Sequence, residues 1–343
     1  MQATSPLSTT ALYRKPLRVP KLLRRAWHEN AALTLTGLAM LPIILSAVIG
    51  LIVDHQLITG VPAWIKPLKF AISISIYCLT FVYLLTFVRG HRRLVGAVGM
   101  ITGISLFVEM GLVMLQVVRG TTSHFNLSTP LDSLIFRLMG GSIGFLFTAA
   151  IVLAVVLLRQ RLADHAWDWA LRFSVSAAIV GMAVACLMLI PTPAQLATSS
   201  AASMGAHSVG VPDGGPGLPI LGWSTVGGDL RIPHFVGLHG LQALLIVGWL
   251  VNMTRSWLSM RQRTLLVIIA GCSYLSLIAL LTWQALRGQS IIHPDVLTLS
   301  AFGILSVSTL VAIVLAMMHK ANVQPLKEVA VSTYQRLLEE TRF

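Results

Sequence analysis

The chain has 343 residues, of which 55% are hydrophobic and only 11% charged, a composition outside the range of soluble globular domains. A net charge of +13 invites a nucleic-acid reading. The placement of the charge argues against one, because Lys and Arg crowd every second connection between long apolar runs instead of forming a basic face.

In chain order, residues 1–30 form a basic N-terminal segment with Arg14, Lys15, Arg18, Lys21, Arg24 and Arg25. Its interleaved apolar residues suit anionic lipid headgroups on the cytoplasmic side, and a plain topology signal explains it equally well. Eight apolar runs follow, at 31–53, 67–88, 94–118, 133–158, 172–191, 234–253, 264–286 and 296–318. Each is about 20 residues or longer, enough to cross about 30 Å of hydrocarbon at about 1.5 Å per residue. A lipid-exposed backbone must satisfy its own hydrogen bonds, so the runs predict an all-α integral membrane protein with eight transmembrane helices. The first run follows a basic stretch without a small-residue cleavage pattern and reads as a retained signal anchor. Cys78, Cys186 and Cys272 all fall inside runs and read as small buried hydrophobes.

The N-terminal segment, connections 2–3, 4–5 and 6–7 and the tail hold nineteen Lys and Arg residues; the opposite side holds six. By the positive-inside rule both termini are cytoplasmic, and the chain is expected in a bacterial inner membrane. Residues 31–158 then form a first four-helix unit and 159–318 a second, which contains a long outer loop, 192–232, rich in Gly, Ser and Pro. The tail, 319–343, carries Leu326, Ala330, Tyr334 and Leu337 at helical spacing and predicts a short surface helix.

The two units look related. Gln116, Arg119, Gly120 and His124 recur in order as Gln284, Arg287, Gly288 and His293; Ser105 recurs as Ser273, and Lys69-Phe70 roughly as His234-Phe235. The shift stays near 165–168 residues, which predicts a 4+4 duplication with both halves in one orientation.

The chemistry-bearing residues gather on the outer side. Glu109 lies ten residues before Arg119 in run 3, about 15 Å below the boundary. Thr102, Ser105, Glu109 and Gln116 form one polar stripe with it. An intramembrane acid is a functional hypothesis by default, a structural inter-helix hydrogen bond being the alternative. In the second half its counterpart is Leu277. Lys66, Lys69 and Arg137 near the run ends either snorkel or face inward with Arg119, Arg231 and Arg287. Gln116, Gln242, Gln284 and Asp229 complete the polar set offered to a substrate. The outer histidines are His55, His124, His207, His234, His239 and His293. His234 and His239 are five apart, about 140° around a helix, unlike an i, i+4 zinc pair. His239 and His293 could clamp a haem edge-on, or His124 could complete a metal site across the seam.

The strings Lys66–Tyr77 (KPLKFAISISIY), Arg119–Asn126 (RGTTSHFN) and Val211–Gln242 (VPDGGPGLPILGWSTVGGDLRIPHFVGLHGLQ) resemble those of a bacterial multi-pass membrane family. That resemblance spans most of the chain and implies membrane placement but no activity. The 4+4 plan, with histidines near the outer ends of helices 6 and 8, is similar to haem A synthase, which implies haem ligation by His239 and His293. Haem A synthases also carry histidines in helices 2 and 4; here run 2 has none, run 4 has none inside it, and the first outer loop lacks a cysteine pair.

Three functional readings follow. In the first, an outward-facing polar pocket binds b-type haem or a metal for electron and proton chemistry. His239 and His293 would ligate the iron, His124 or His234 would substitute, Glu109 would pass protons, and Arg119 and Arg287 would hold propionates or an anionic substrate. The second is a proton-coupled transporter using Glu109. The third is a cofactor-free enzyme acting on a lipid, with His124 or His234 as base. All three expect Glu109, His239 and Arg119 to face one cavity.

Overall fold

The computed structural model describes residues 19–198 and 202–318. The cations Arg14, Lys15 and Arg18 and the tail helix expected around Leu326–Leu337 lie outside the described residues. A short helix α1 (Val19–Glu29) precedes α2 (Ala31–Val53), α3 (Ile65–Leu85), α4 (Arg92–Val118), α5 (Pro130–Arg159) and α6 (His165–Leu187). A single turn, α7 (Pro193–Leu196), is followed by α8 (Arg231–Met253), α9 (Met260–Leu286) and α10 (Val296–Met318). Eight of these, α2–α6 and α8–α10, are long and apolar enough to cross a membrane. The chain is thus built as a polytopic membrane protein.

Helix starts follow local capping chemistry. Asn30, Thr129, Asp164 and Ser259 each accept from a backbone N–H in the first turn of α2, α5, α6 and α9. Hydropathy placed the fifth and sixth crossings at 172 and 234, whereas the helices begin at His165 and Arg231. Their first turns carry charge that an apolar scan trims away: Asp168 pairs with Arg172 at 3.0 Å, and Arg231 with Asp229 at 2.6 Å. Of the cysteines, Cys78 is buried as expected, but Cys186 and Cys272 are exposed.

Helices α2, α3 and α4 pack on one another with α5 laid against α4; α6, α8 and α9 do the same with α10 against α9. Small residues let the backbones approach, most closely where Gly181 of α6 meets Gly237 of α8. One apolar core joins the two sets, containing Phe81 of α3, Leu153 of α5, Met182 of α6 and Leu241 of α8. The outward faces stay apolar, as a lipid solvent requires; Leu45 and Val307 are both more than 60% exposed.

The connections after α2, α4, α6 and α9 meet at one end of the bundle. Two-residue ladders brace this loop-rich end: β1 (Leu57–Ile58) with β2 (Val61–Pro62), and β3 (Ser208–Val209) with β4 (Gly228–Asp229). Leu127 N–H donates to Ala202 O, and Ser290 Oγ to Ser224 O. The other end carries the short turns α3–α4, α5–α6 and α8–α9 and is rich in arginine.

Candidate functional site

The 119–129 connection does not stand out from the bundle. It folds back into it, burying Ser123, Phe125 and Asn126, with Phe125 in the left-handed region at φ 61°. Asn126 anchors the loop by donating to Thr121 Oγ1 (2.9 Å) and Thr122 O (3.2 Å). The fold-back points His124 at helix α4.

His124 is the centre of a three-residue chain. Lys66 Nζ, in the first turn of α3, donates to His124 Nδ1 at 3.1 Å. An ammonium only donates, so Nδ1 accepts and the ring proton sits on Nε2. That Nε2 faces Glu109 Oε1 of α4 at 3.3 Å. Glu109 is 2% exposed, and its other oxygen lies 3.5 Å from Ser142 Oγ of α5. Ser123 Oγ stands 3.0 Å from His124 Nδ1, in competition with Lys66 for the same lone pair. Phe70, one turn after Lys66, meets the His124 ring edge-on and lies under the Lys66 ammonium. Burial pushes His124 well below the usual histidine range, and Lys66, His207 and His234 act in the same direction.

A second layer surrounds this chain. Phe125 packs its ring 4.9 Å from that of His207, whose Nδ1 pairs with Asp213 at 2.9 Å. Burial lowers the His207 pKa and the Asp213 hydrogen bond opposes it. Burial would raise Asp213, but the His207 ring and the His207 and Ser208 amides hold its carboxyl well below the usual range. His234 Nδ1–H donates to the Gly181 carbonyl at 2.8 Å, leaving Nε2 as its open acceptor. Lys69 donates to Leu221 O at 2.9 Å, so the long loop is tied down beside Lys66.

The structure therefore joins Glu109, His124 and Lys66, with His234 close by. It does not gather Glu109, Arg119 and His239 in one cavity. Arg119 is the C-cap of α4 and is taken up by the buried Asp132 at 2.6 Å and by Gln116 Oε1. Gln116 Nε2 also donates to Asp132 (2.9 Å), so both residues belong to a corner, not to the Glu109 cluster. Arg287 likewise caps α9, pairs with Asp295 at 2.6 Å and stacks on Trp283. Gln284 Nε2 donates to Ser290 O. Asp229 and Arg231 pair with each other, while Arg137 is exposed on α5.

Haem does not fit the residues proposed for it. His239 lies against Phe235 of its own helix, ring centroids 4.2 Å apart. Gln242, which shares that face, donates to Thr80 of α3, whereas the adjacent Gly240 faces Tyr274 of α9. His239 thus turns toward α3, and His293 is exposed in the α9–α10 corner. The arginines assigned to propionates are already paired, Arg119 with Asp132 and Arg287 with Asp295. Among the described residues, no group of three or more His, Cys, Asp or Glu side chains is placed to hold a metal ion.

His207 (one of the outer histidines), Asp213, Ser123, Ser142 and Phe70 complete the surroundings. Ser123 adjoins His124, and Phe70 is one turn from Lys66, so both had a local signal; Ser142 and Asp213 arrive only through packing. Comparison with protein-family models, curated proteins and solved structures finds no match.

Proposed function

We propose that this chain is a proton-coupled membrane protein in which Glu109 takes up and releases a proton through His124. The observation that carries this reading is the Lys66–His124–Glu109 chain, a hydrogen bond from Lys66 to His124 followed by a 3.3 Å approach of His124 Nε2 to the buried Glu109 carboxyl, which starts at the loop-rich end. A neutral imidazole with one accepting and one donating nitrogen is suited to relay a proton between the two. Lys66 offsets the charge of Glu109 when the carboxyl is ionised, and the nearby Lys69 suits an anionic solute, such as a small carboxylate, as the coupled species.

In this reading the protein sits in a bacterial inner membrane with cytoplasmic termini, which the charge split supports. The two sets of helices derive from a 4+4 duplication, supported by their common packing order. In proteoliposomes on a solid support, a panel of small carboxylates under a pH gradient is expected to evoke currents. Glu109→Gln should reduce them to the level of empty liposomes; currents that persist in the variant would sink the reading.

A second reading has its own support in Ser123. With its Oγ on His124 Nδ1 and Glu109 behind Nε2, the trio has the nucleophile–base–acid order of acyl-transfer enzymes, compatible with a lipid ester substrate. Labelling by a fluorophosphonate that disappears in Ser123→Ala would favour it over transport.

A further inference from the structure

At the arginine-rich end, far from Glu109, a groove of about 520 Å³ runs between α4, α5 and the turn before α4. Among the described residues its polar lining is Arg89, His91, Arg159 and Gln160, with no Asp or Glu. Leu94 and Val155 wall the rest, each with about 40% of its surface open. A cationic mouth continued by an aliphatic trough has the division of a phospholipid.

Two features inside the groove ask for an anion. Gln160 caps α5, and it is held by accepting from the Arg89 N–H at its Oε1 (2.9 Å) and from Arg172 at its carbonyl (2.6 Å). That leaves its Nε2 donor without a partner among the described residues, and a buried donor left unpaired is unfavourable unless a ligand accepts from it. The second feature is the start of α4. His91, in the left-handed region at φ 52°, gives no side-chain cap, and the first turn holds no acid. A 27-residue helix thus presents uncapped N–H groups beside two arginines.

We infer that this groove binds one anionic phospholipid. Arg89, Arg159, Gln160 Nε2 and the α4 N-terminus hold the phosphate, and an acyl chain lies along Leu94 and Val155. The basic charge at this end is then a built headgroup site as well as a topology signal.

Native mass spectrometry of the detergent-purified full chain, titrated with dioleoyl phosphatidylglycerol, tests this. One retained lipid is expected, with dioleoyl phosphatidylcholine held on the order of tenfold more weakly. The double variant Arg89→Gln/Arg159→Gln should lose phosphatidylglycerol by on the order of tenfold or more. Gln160→Glu, which keeps the acceptor for Arg89 N–H but removes the free donor, should do the same with an unchanged melting temperature. Arg255→Gln/Arg261→Gln, exposed at the same end but outside the groove, should bind like the wild type. Equal loss in that control, undiminished binding in the groove variants, or displacement of the lipid by equimolar inorganic phosphate would overturn the assignment.

Discussion

The corner after α4 and the corner after α9 share a frame but differ in what they enclose. In both, an Arg caps the helix and a Gly follows at φ 71°. The next two N–H groups return to the helix: Gly120 to Val117 and Thr121 to Gln116 in one, Gly288 to Ala285 and Gln289 to Gln284 in the other. In both, the Gln amide donates to the carbonyl six residues on, and the Arg reaches an Asp near the start of the following helix. The first corner then tucks its histidine into the bundle over Glu109. The second leaves His293 exposed above a helix whose matching position is Leu277. The shared parts are those that end a helix, and the differing parts are ionisable. The frame is architecture and the first corner's contents are the candidate function.

That contrast breaks most visibly at Glu109. Glu109→Leu writes the second corner's residue into the first and should leave a folded protein whose proton-driven flux is indistinguishable from empty liposomes. Lys66→Met, which removes one charge-assisted hydrogen bond worth about 1.5 kcal/mol, should reduce the flux on the order of tenfold. If Lys66→Met were silent while Glu109→Leu was not, the ammonium would be an anchor and not part of the relay.

The arginines sharpen the comparison through stability instead. Arg119→Ala strands Asp132, whose side chain is 4% exposed, whereas Arg287→Ala strands Asp295 at 40% exposed. Only the first should lower the melting temperature in detergent clearly. Both variants should keep their proton-driven flux. Equal destabilisation would mean that the corners bear equal load.

The smallest effect concerns pH. Burial holds His124 below its ordinary value of about 6.5. On acidification the unfolded chain takes up the proton first, so this contribution is present above about pH 6.5 and lost as pH falls below it. Lys66, His207, His234 and Glu109 face the same ring, and His207 carries a shift of the same sign. Melting followed from about pH 7.5 to 5.5 should therefore show a shallower decline in His124→Gln than in the wild type, without abolishing it.

What could be read from the residues alone divides along the same line. The eight crossings are legible because hydropathy and length suffice, and their ends blur at His165 and Arg231, where charge begins the helix. Glu109, His124 and Lys66 could be nominated singly, since ionisable groups in apolar runs are costly. Their meeting could not, because it depends on a loop that turns inward through Phe125 and is fastened by Asn126. Arg119 and Arg287 misled for a related reason: an arginine beside a pocket and one capping a helix look alike until the partner aspartate is placed. His239 and His293 fit a haem plan by number, but His239 lies within α8 against Phe235 whereas His293 is exposed in the corner before α10.

The most direct measurement is infrared difference spectroscopy of the reconstituted protein across a pH titration. A protonated-carboxyl band should appear on acidification, vanish in Glu109→Gln and move in Lys66→Met. A band that survives Glu109→Gln, or a wild-type protein with no buried carboxyl that titrates, would contradict the assignment of Glu109 as the proton site.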